Sequence, residues 1–393
     1  MKIAIVGGGV TGLVAGYRLL QKGHQVTIFE KSEQVGGLLA GFKINGTNLE
    51  KAYHHIFTTD TAIINLIEEL GLADKLQWYS DKTAIYYDHK MYSFNGPKDL
   101  LVFRALPLLD RIRTGLVGLW LQRDNAWEKY KTISAYQWMK KWNGENAYNV
   151  IWEPLLRGKF HEYYDQVSMA WLWARIHTRS NSSGKLGYID GGFQIIIEAL
   201  VEKIENLGGE IKTKTLVKDI KVLTTQYDKV LTTGPIKNIS YLGAIEVIFT
   251  SKQSLSSYYW HNINDLKSPF LVFIQHTNLV GIKNYKGEHI YYMGSYVPNT
   301  HHLFKDSEDQ VKKEFFGYLK KLFPKFNKKL VTQSFVFKLA NAQHIVTTNY
   351  QIPKYETEYK NIYQVNFSQI FPEDRGTNFA VREGEKIANF LQG

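Results

Sequence analysis

The 393-residue chain contains no cysteine. Disulfides, thiolate metal sites and a cysteine nucleophile are therefore excluded, and no other metal-ligand spacing is recognisable. The absence fits a reducing cytosol. A cytoplasmic location is the expectation, with peripheral attachment at the inner face of a membrane as its variant. Long apolar runs are also missing. No window approaches the roughly 18 uninterrupted apolar residues of a spanning helix. Dense Lys/Arg tracts and zinc, RNA or DNA modules are absent, so nucleic acid is not an expected partner. No internal repeat or low-complexity tract is visible, and nothing fixes an oligomeric state.

What is present is apolar, aromatic and basic. Hydrophobic residues make up 44% of the chain, with 25 Tyr, 21 Phe and nine Trp. Such rings fill cores and line pockets for flat or greasy small molecules. The formal net charge of +11 suits anionic ligands or an anionic membrane face. The length predicts two or three domain-sized units, interleaved in sequence.

The first residues carry the strongest signal. "KIAIV" (2–6) reads as a buried parallel strand. Gly7, Gly9 and Gly12 follow in G-x-G-x-x-G spacing, with Val10 and Thr11 between them, and "LVAGYRLLQKG" continues as a helix that Gly23 stops. The first glycine permits a tight turn, the second lets backbone approach a pyrophosphate, and the third lets the helix pack on the strand. A second strand, "HQVTIFE", ends in Glu30, 18 residues past Gly12, where a carboxylate accepts hydrogen bonds from a ribose diol. Lys31 comes next. A signal peptide is the competing reading of residues 1–20, but four glycines break the apolar run and no small-residue cleavage site follows. The expected fold class is α/β: a discontinuous Rossmann-type dinucleotide domain, with a substrate domain of antiparallel sheet plus a helical insert.

"KSEQVGGLLAGF" places a second glycine pair, Gly36 and Gly37, just after Glu30. Here the chain resembles the FAD-dependent amine oxidase superfamily: monoamine oxidases, protoporphyrinogen oxidases, carotenoid desaturases and UDP-galactopyranose mutases. The resemblance implies non-covalent FAD, with the glycine pair approaching its phosphates; without cysteine, a thioether tether is excluded. Many members carry Arg after the pair, and this chain has Leu38. "GYIDGGFQIIIEAL" (187–200) resembles the family's glycine-marked start of a returning helix. "GGEIKTKTLVKDI" (208–220) resembles a strand pair in which Val217 contacts adenine through its backbone. "YDKVLTTGP" (227–235) and "FPEDRGTNFAVREGEKIANFL" (371–391) resemble two further blocks. In the last, Gly376, Thr377 and Asn378 match the start of a helix aimed at the flavin, with a plain helix cap as the alternative for Asn378.

These blocks predict an FAD-binding domain of residues 1–58, 185–236 and 350–393, a helical insert at 59–184 and a strand-rich substrate domain at 237–349. Only one glycine-rich strand–turn–helix exists, so no built-in nicotinamide domain is expected.

Catalytic residues are not identifiable from sequence. The candidates near flavin or substrate are His54, His55, Arg157 and Arg175. "EKAYHHIFTTD" (50–60) resembles a mutase segment beside the flavin ring, with His55, Ile56, Phe57 and Asp60 matching and Thr58 in place of a second histidine, though related oxidoreductases carry a comparable segment and a buried loop with hydrogen-bonded imidazoles is the alternative. Arg157 and Arg175 could grip an anionic substrate group, or pair structurally within the insert. In "LSSYYWHN" and "FIQHTN", Tyr258, Tyr259 and Trp260 could wall a pocket. Strand alternation there would put Gln275 and Thr277 on one face, His276 and Asn278 on the other. Residues 100–123 interleave apolar residues with Arg104, Arg111, Arg113 and Arg123. They read either as a membrane-surface segment or as two core helices linked near Pro107. Two functions follow: an oxidoreductase (oxidase, dehydrogenase or desaturase) passing hydride to flavin N5, with oxygen or a quinone as acceptor; or a redox-neutral nucleotide-sugar mutase.

Overall fold

The computed structural model describes residues 1–180 and 184–392. Residues 181–183, within the expected helical insert, and Gly393 lie outside the described residues. The chain divides into two units. One comprises Met1–Trp78, Gly187–Ile239 and Gln351–Gly393, the other Tyr79–Leu186 and Ser240–Tyr350.

In the first unit the apolar strand Lys2–Val6 pairs in parallel with Gln25–Phe29 on one side and Lys229–Thr232 on the other. Glu210–Lys212 and Ile362–Gln364 extend this into a five-stranded parallel sheet. The helix Val10–Gln21 crosses between the first two strands, and Gly16 lets it settle onto the sheet. A Cβ at Gly16 would stand 2.9 Å from the Ile28 side chain. The closing helix Thr377–Phe390 packs as closely on the opening one, because a Cβ at Gly384 would meet the Thr11 carbonyl oxygen at 2.8 Å. Sheet and helices thus bury strands that are apolar on both faces, as a parallel sheet requires.

The expected strand pair at 208–220 is not formed. After Glu210–Lys212 the chain turns through Lys214, which has positive φ, and Val217 lies in a loop. There Val217 packs on a cluster of Ala4, Phe29, Leu223, Val230 and Ile362. Burial of one apolar side chain, rather than strand pairing, fixes its place.

The second unit is built on a seven-stranded sheet. Its order is Val331–His344, Tyr241–Ser251, His289–Val297, Val272–Gln275, Trp260–Ile263, Thr83–Tyr87, Lys90–Ser93. Two of these strands come from the segment expected to be helical. "TAIYYDHKMYS" is a hairpin whose turn residues Asp88 and His89 both have positive φ. A two-residue turn of that kind usually carries Asn-Gly or Asp-Gly, so Asp-His gave little warning. The sheet's core is aromatic: Tyr291 stacks on Phe249 at 4.6 Å and on Phe273 at 5.5 Å between ring centroids. The helix Glu308–Leu322, started by a Ser307/Gln310 capping box, covers it with Phe315, Phe316 and Leu319. Much of the aromatic load is core.

The remaining helices of this unit include Ala135–Asn143, capped by Ser134, and Glu153–Phe160, which a π-helical turn at Tyr148–Trp152 leads into. The expected alternation through "FIQHTN" fails, because the strand stops at Gln275 and Thr277 begins the helix Thr277–Val280. That bend brings Gln275 and Asn278 together at 2.9 Å instead of placing them on opposite faces.

Candidate functional site

The glycine turn between Val6 and Val10 is shaped by what cannot fit there. Gly7 has φ +115°, and a Cβ on it would fall 2.2 Å from the Thr233 hydroxyl oxygen. A Cβ at Gly12 would fall 2.2 Å from the Gly7 carbonyl oxygen. The turn is therefore packed against its own helix and against the end of strand Lys229–Thr232, where the Thr233 hydroxyl also donates to the Gly7 carbonyl at 3.2 Å. Gly9 differs: a Cβ there would meet nothing nearer than the Gly37 Cα at 4.0 Å. Internal packing places no demand on that position.

The second glycine pair lies alongside. Gly9 and Gly36 form a parallel bridge, and the Gly36 N–H donates to the Gly8 carbonyl at 2.7 Å. Gly36 and Gly37 both have positive φ, and a Cβ at Gly37 would stand 3.1 Å from the Gly9 Cα. Leu38 follows on a short 3-10 turn, Gly37–Leu39. Two stretches of backbone without side chains thus meet at the start of the helix Val10–Gln21. No side chain caps that helix, so Val10, Thr11 and Gly12 present its positive dipole end.

Glu30 closes the cradle. Its buried carboxylate accepts from the Gly8 N–H through Oε2 and from the Ser32 N–H through Oε1, each at 2.8 Å. Each oxygen retains a lone pair for a hydroxyl donor. Lys31 beside it is exposed. The loop containing Val217 is tied here as well, through the Thr215 N–H to the Glu30 carbonyl at 2.8 Å. This is the geometry in which α/β folds receive an anionic, ribose-bearing group.

The other candidates of this unit sit elsewhere in it. Gly376 precedes the closing helix, which again has no side-chain cap, and Thr377 is its first residue. Asn378 caps a different helix: its Oδ1 accepts from the Ile63 N–H at 3.2 Å, in the first turn of Thr61–Glu69. His54 Nδ1 lies 2.7 Å from the Ala52 carbonyl oxygen, so Nδ1 carries the proton. Burial lowers its pKa to about 4, helped by the charge of Arg375, so the ring is neutral at pH 7. His55 stacks edge-on against Phe57 at 5.0 Å.

Two contributors were missed in the sequence. Gln194, at the start of helix Gln194–Asn206, accepts from the Gly41 N–H at 3.1 Å and from Gln34 at 2.9 Å, tying that helix to the second glycine loop. Glu50 is buried and accepts from the Phe193 N–H at 2.6 Å and the Tyr188 hydroxyl at 2.9 Å. Leu49 and Glu50 are both buried at the end of their strand, so alternation gave no signal.

Burial raises the Glu50 pKa to about 7 from an ordinary 4.5. Between those values the unfolded state binds fewer protons than the folded one, so stability falls as pH rises and levels off above about 7. The full drop is on the order of 3 kcal/mol at ~1.4 kcal/mol per unit. Glu50→Gln keeps an acceptor for Phe193 and should flatten that slope in urea unfolding between about pH 5 and about pH 8. An unchanged slope would assign the effect to another group.

In the second unit, Arg157 pairs with Glu153 at 2.8 Å one helical turn away and lies 3.6 Å over the Tyr164 ring. Arg175 lies over Trp171 at 5.7 Å. They occupy separate helices, Glu153–Phe160 and Met169–Ser180. Tyr259 and His276 are buried, and His276 is pushed down to about 3 by burial.

The fold is a mixed α/β one whose opening strand–turn–helix carries bare backbone at an uncapped helix start. The chain belongs to the flavin containing amine oxidoreductase family, whose model matches residues 10–269. It is 24% identical over 260 residues to coproporphyrinogen III oxidase of Staphylococcus aureus, covering 57% of this chain and 56% of the relative. It is also 24% identical over 252 residues to 15-cis-phytoene desaturase of Arabidopsis thaliana, covering 56% of this chain and 43% of the relative, and the chain spans about half or less of the curated relatives' lengths. An oxidoreductase from Methanosarcina mazei has the same fold at TM-score 0.76 and 17% identity, with 99% of this chain and 100% of that one covered. Reduced UDP-galactopyranose mutase has it at TM-score 0.73 and 13% identity, with 100% and 95% covered.

Proposed function

We propose that the chain is an FAD-dependent oxidoreductase that holds FAD non-covalently and takes a hydride from an organic substrate onto it, with oxygen or a quinone accepting the electrons. The observation that carries this reading is the cradle: paired bare glycines, an uncapped helix start and the buried Glu30 carboxylate, in a chain of a flavin family. These residues fit the cofactor. Val10, Thr11 and Gly12 would hold a pyrophosphate through their N–H groups, and Gly9 and Gly37 leave room for it. Glu30 would accept from ribose hydroxyls. Bound flavin supplies a two-electron acceptor at N5. The protein's part is to orient the substrate and exclude water, and neutral His54 offers a hydrogen-bonding ring with no charge to desolvate.

A redox-neutral nucleotide-sugar mutase is the second reading. It is favoured by the "HHIFTTD" segment and by the shared fold. Anaerobic mixing separates the two. An oxidoreductase should lose its yellow colour within one turnover on addition of its substrate, tested with amines, reduced porphyrin-like rings and polyenes, and should bleach slowly with NADPH. Rapid, saturable bleaching by NADPH, with sugar-nucleotide turnover only after reduction, would replace this reading with the mutase.

A further inference from the structure

The helix pair Pro97–Val102 and Leu108–Arg123 exposes more apolar surface than a surface helix ordinarily does. In the second helix Thr114, Val117 and Leu121 are buried. The face turned to solvent carries Leu108, Leu109, Ile112, Leu116, Leu119 and Trp120, at the three- and four-residue spacing of one helical stripe. Leu109 is 80% exposed and Leu116 62%. Leu101 and Val102, at the end of the first helix, are exposed as well, Val102 at 67%. Trp120 joins the stripe to the exposed Trp142, at 5.2 Å between ring centroids. Large apolar side chains scattered singly on a surface need no explanation, but a continuous stripe of them does.

The charge around the stripe is one-sided. Every residue from 97 to 123 is described, and the segment holds five basic and two acidic residues. Both acids are half-buried. Asp99 is held by Ser93 and Asn95, and Asp110 accepts from Asn146 at 2.9 Å. Lys98, Arg104, Arg113 and Arg123 are exposed. Arg113 also donates to the Trp142 and Lys141 carbonyls, which holds it at the rim. No helix among the described residues is long and apolar enough to cross a membrane.

We infer that this face docks on an anionic lipid surface, with the leucine stripe in the acyl boundary and the arginines among the headgroups. A second copy of the chain is the competing occupant. It would bring a basic rim against a basic rim, in a chain whose net charge is already +11. An anionic bilayer offers the complementary charge.

The test uses the intact flavoprotein, sedimented with vesicles of phosphatidylcholine alone and of phosphatidylcholine containing one-third phosphatidylglycerol. The protein should bind the anionic vesicles more strongly, and less so as salt rises. Leu109→Asp combined with Leu116→Asp should lower that binding at least about tenfold, with flavin content unchanged. Arg104→Gln with Arg123→Gln should lower it too and reduce its salt dependence. The inference is overturned if anionic vesicles leave the protein in solution, if both vesicle types bind alike, or if the leucine variant binds as well as the parent. It is also overturned if light scattering shows a dimer that the leucine variant dissociates.

Discussion

Gly12→Val should purify without flavin. A side chain at this position must begin with a Cβ 2.2 Å from the Gly7 carbonyl oxygen, and that neighbour is backbone. No rotamer change relieves such a contact. Either the helix Val10–Gln21 moves off the strand or the turn at Gly7 opens, and both displace the N–H groups of its first turn. Overpacking of a core costs about 1–3 kcal/mol when side chains can adjust, and here they cannot. Flavin per chain should fall below about a tenth of the parent's, which is ~1.4 kcal/mol or more of lost binding. Gly23→Ala is the control. Gly23 has φ +79° but nothing within 4 Å of its would-be Cβ. It should lose roughly 1 kcal/mol of stability from the left-handed backbone and keep its flavin. If Gly12→Val retained flavin at the parent's level, close packing of turn on helix would not be what builds the cradle.

Glu30→Ala should weaken FAD binding at least about tenfold, because a charge-assisted hydrogen bond to a ribose hydroxyl contributes about 1.5–3 kcal/mol. The structure adds a second loss. Both oxygens of Glu30 already accept backbone N–H groups, from Gly8 in the first glycine turn and Ser32 in the loop leading to the second. Removing the carboxylate leaves two donors unsatisfied and slackens both loops. Glu30→Gln separates the two contributions. Its amide oxygen can satisfy one of the N–H groups, while its NH2 must face the other, donor against donor. The glutamine variant should therefore bind FAD as poorly as the alanine variant, despite its size. Isothermal titration of flavin-stripped protein measures both. Glutamine at parental affinity would show that the negative charge and its two acceptors are dispensable.

The part of this cradle legible in the sequence is the part made of local chain. Gly7, Gly9, Gly12 and Glu30 lie on one strand–turn–helix–strand unit, so spacing alone relates them, and the elements stand where the apolar periodicity puts them. The Gly36–Gly37 pair was legible only through resemblance, since nothing local says that Gly36 bridges to Gly9. Contacts made across long sequence separations were invisible. Thr233 lies under Gly7 although 226 residues apart, and Gln194 reaches Gly41 across 153. Asn378 reads from sequence as part of a helix start aimed at the flavin or as a cap of its own helix, and its Oδ1 accepts instead from Ile63 of another helix. The hairpin Thr83–Tyr87 to Lys90–Ser93 was obscured by an Asp-His turn and by helices on both sides of it in sequence. Its first strand pairs in parallel with Trp260–Ile263, far along the chain, a contact that no local pattern reveals.

The most direct measurement of the central claim is acid precipitation of the purified protein, followed by absorbance and chromatography of both fractions. The pellet should be colourless and the supernatant yellow, containing FAD at about one per chain, as a single dinucleotide cradle requires. Colour retained in the pellet would mean covalent attachment. A colourless protein that binds NAD but never FAD would contradict the assignment of the cradle itself.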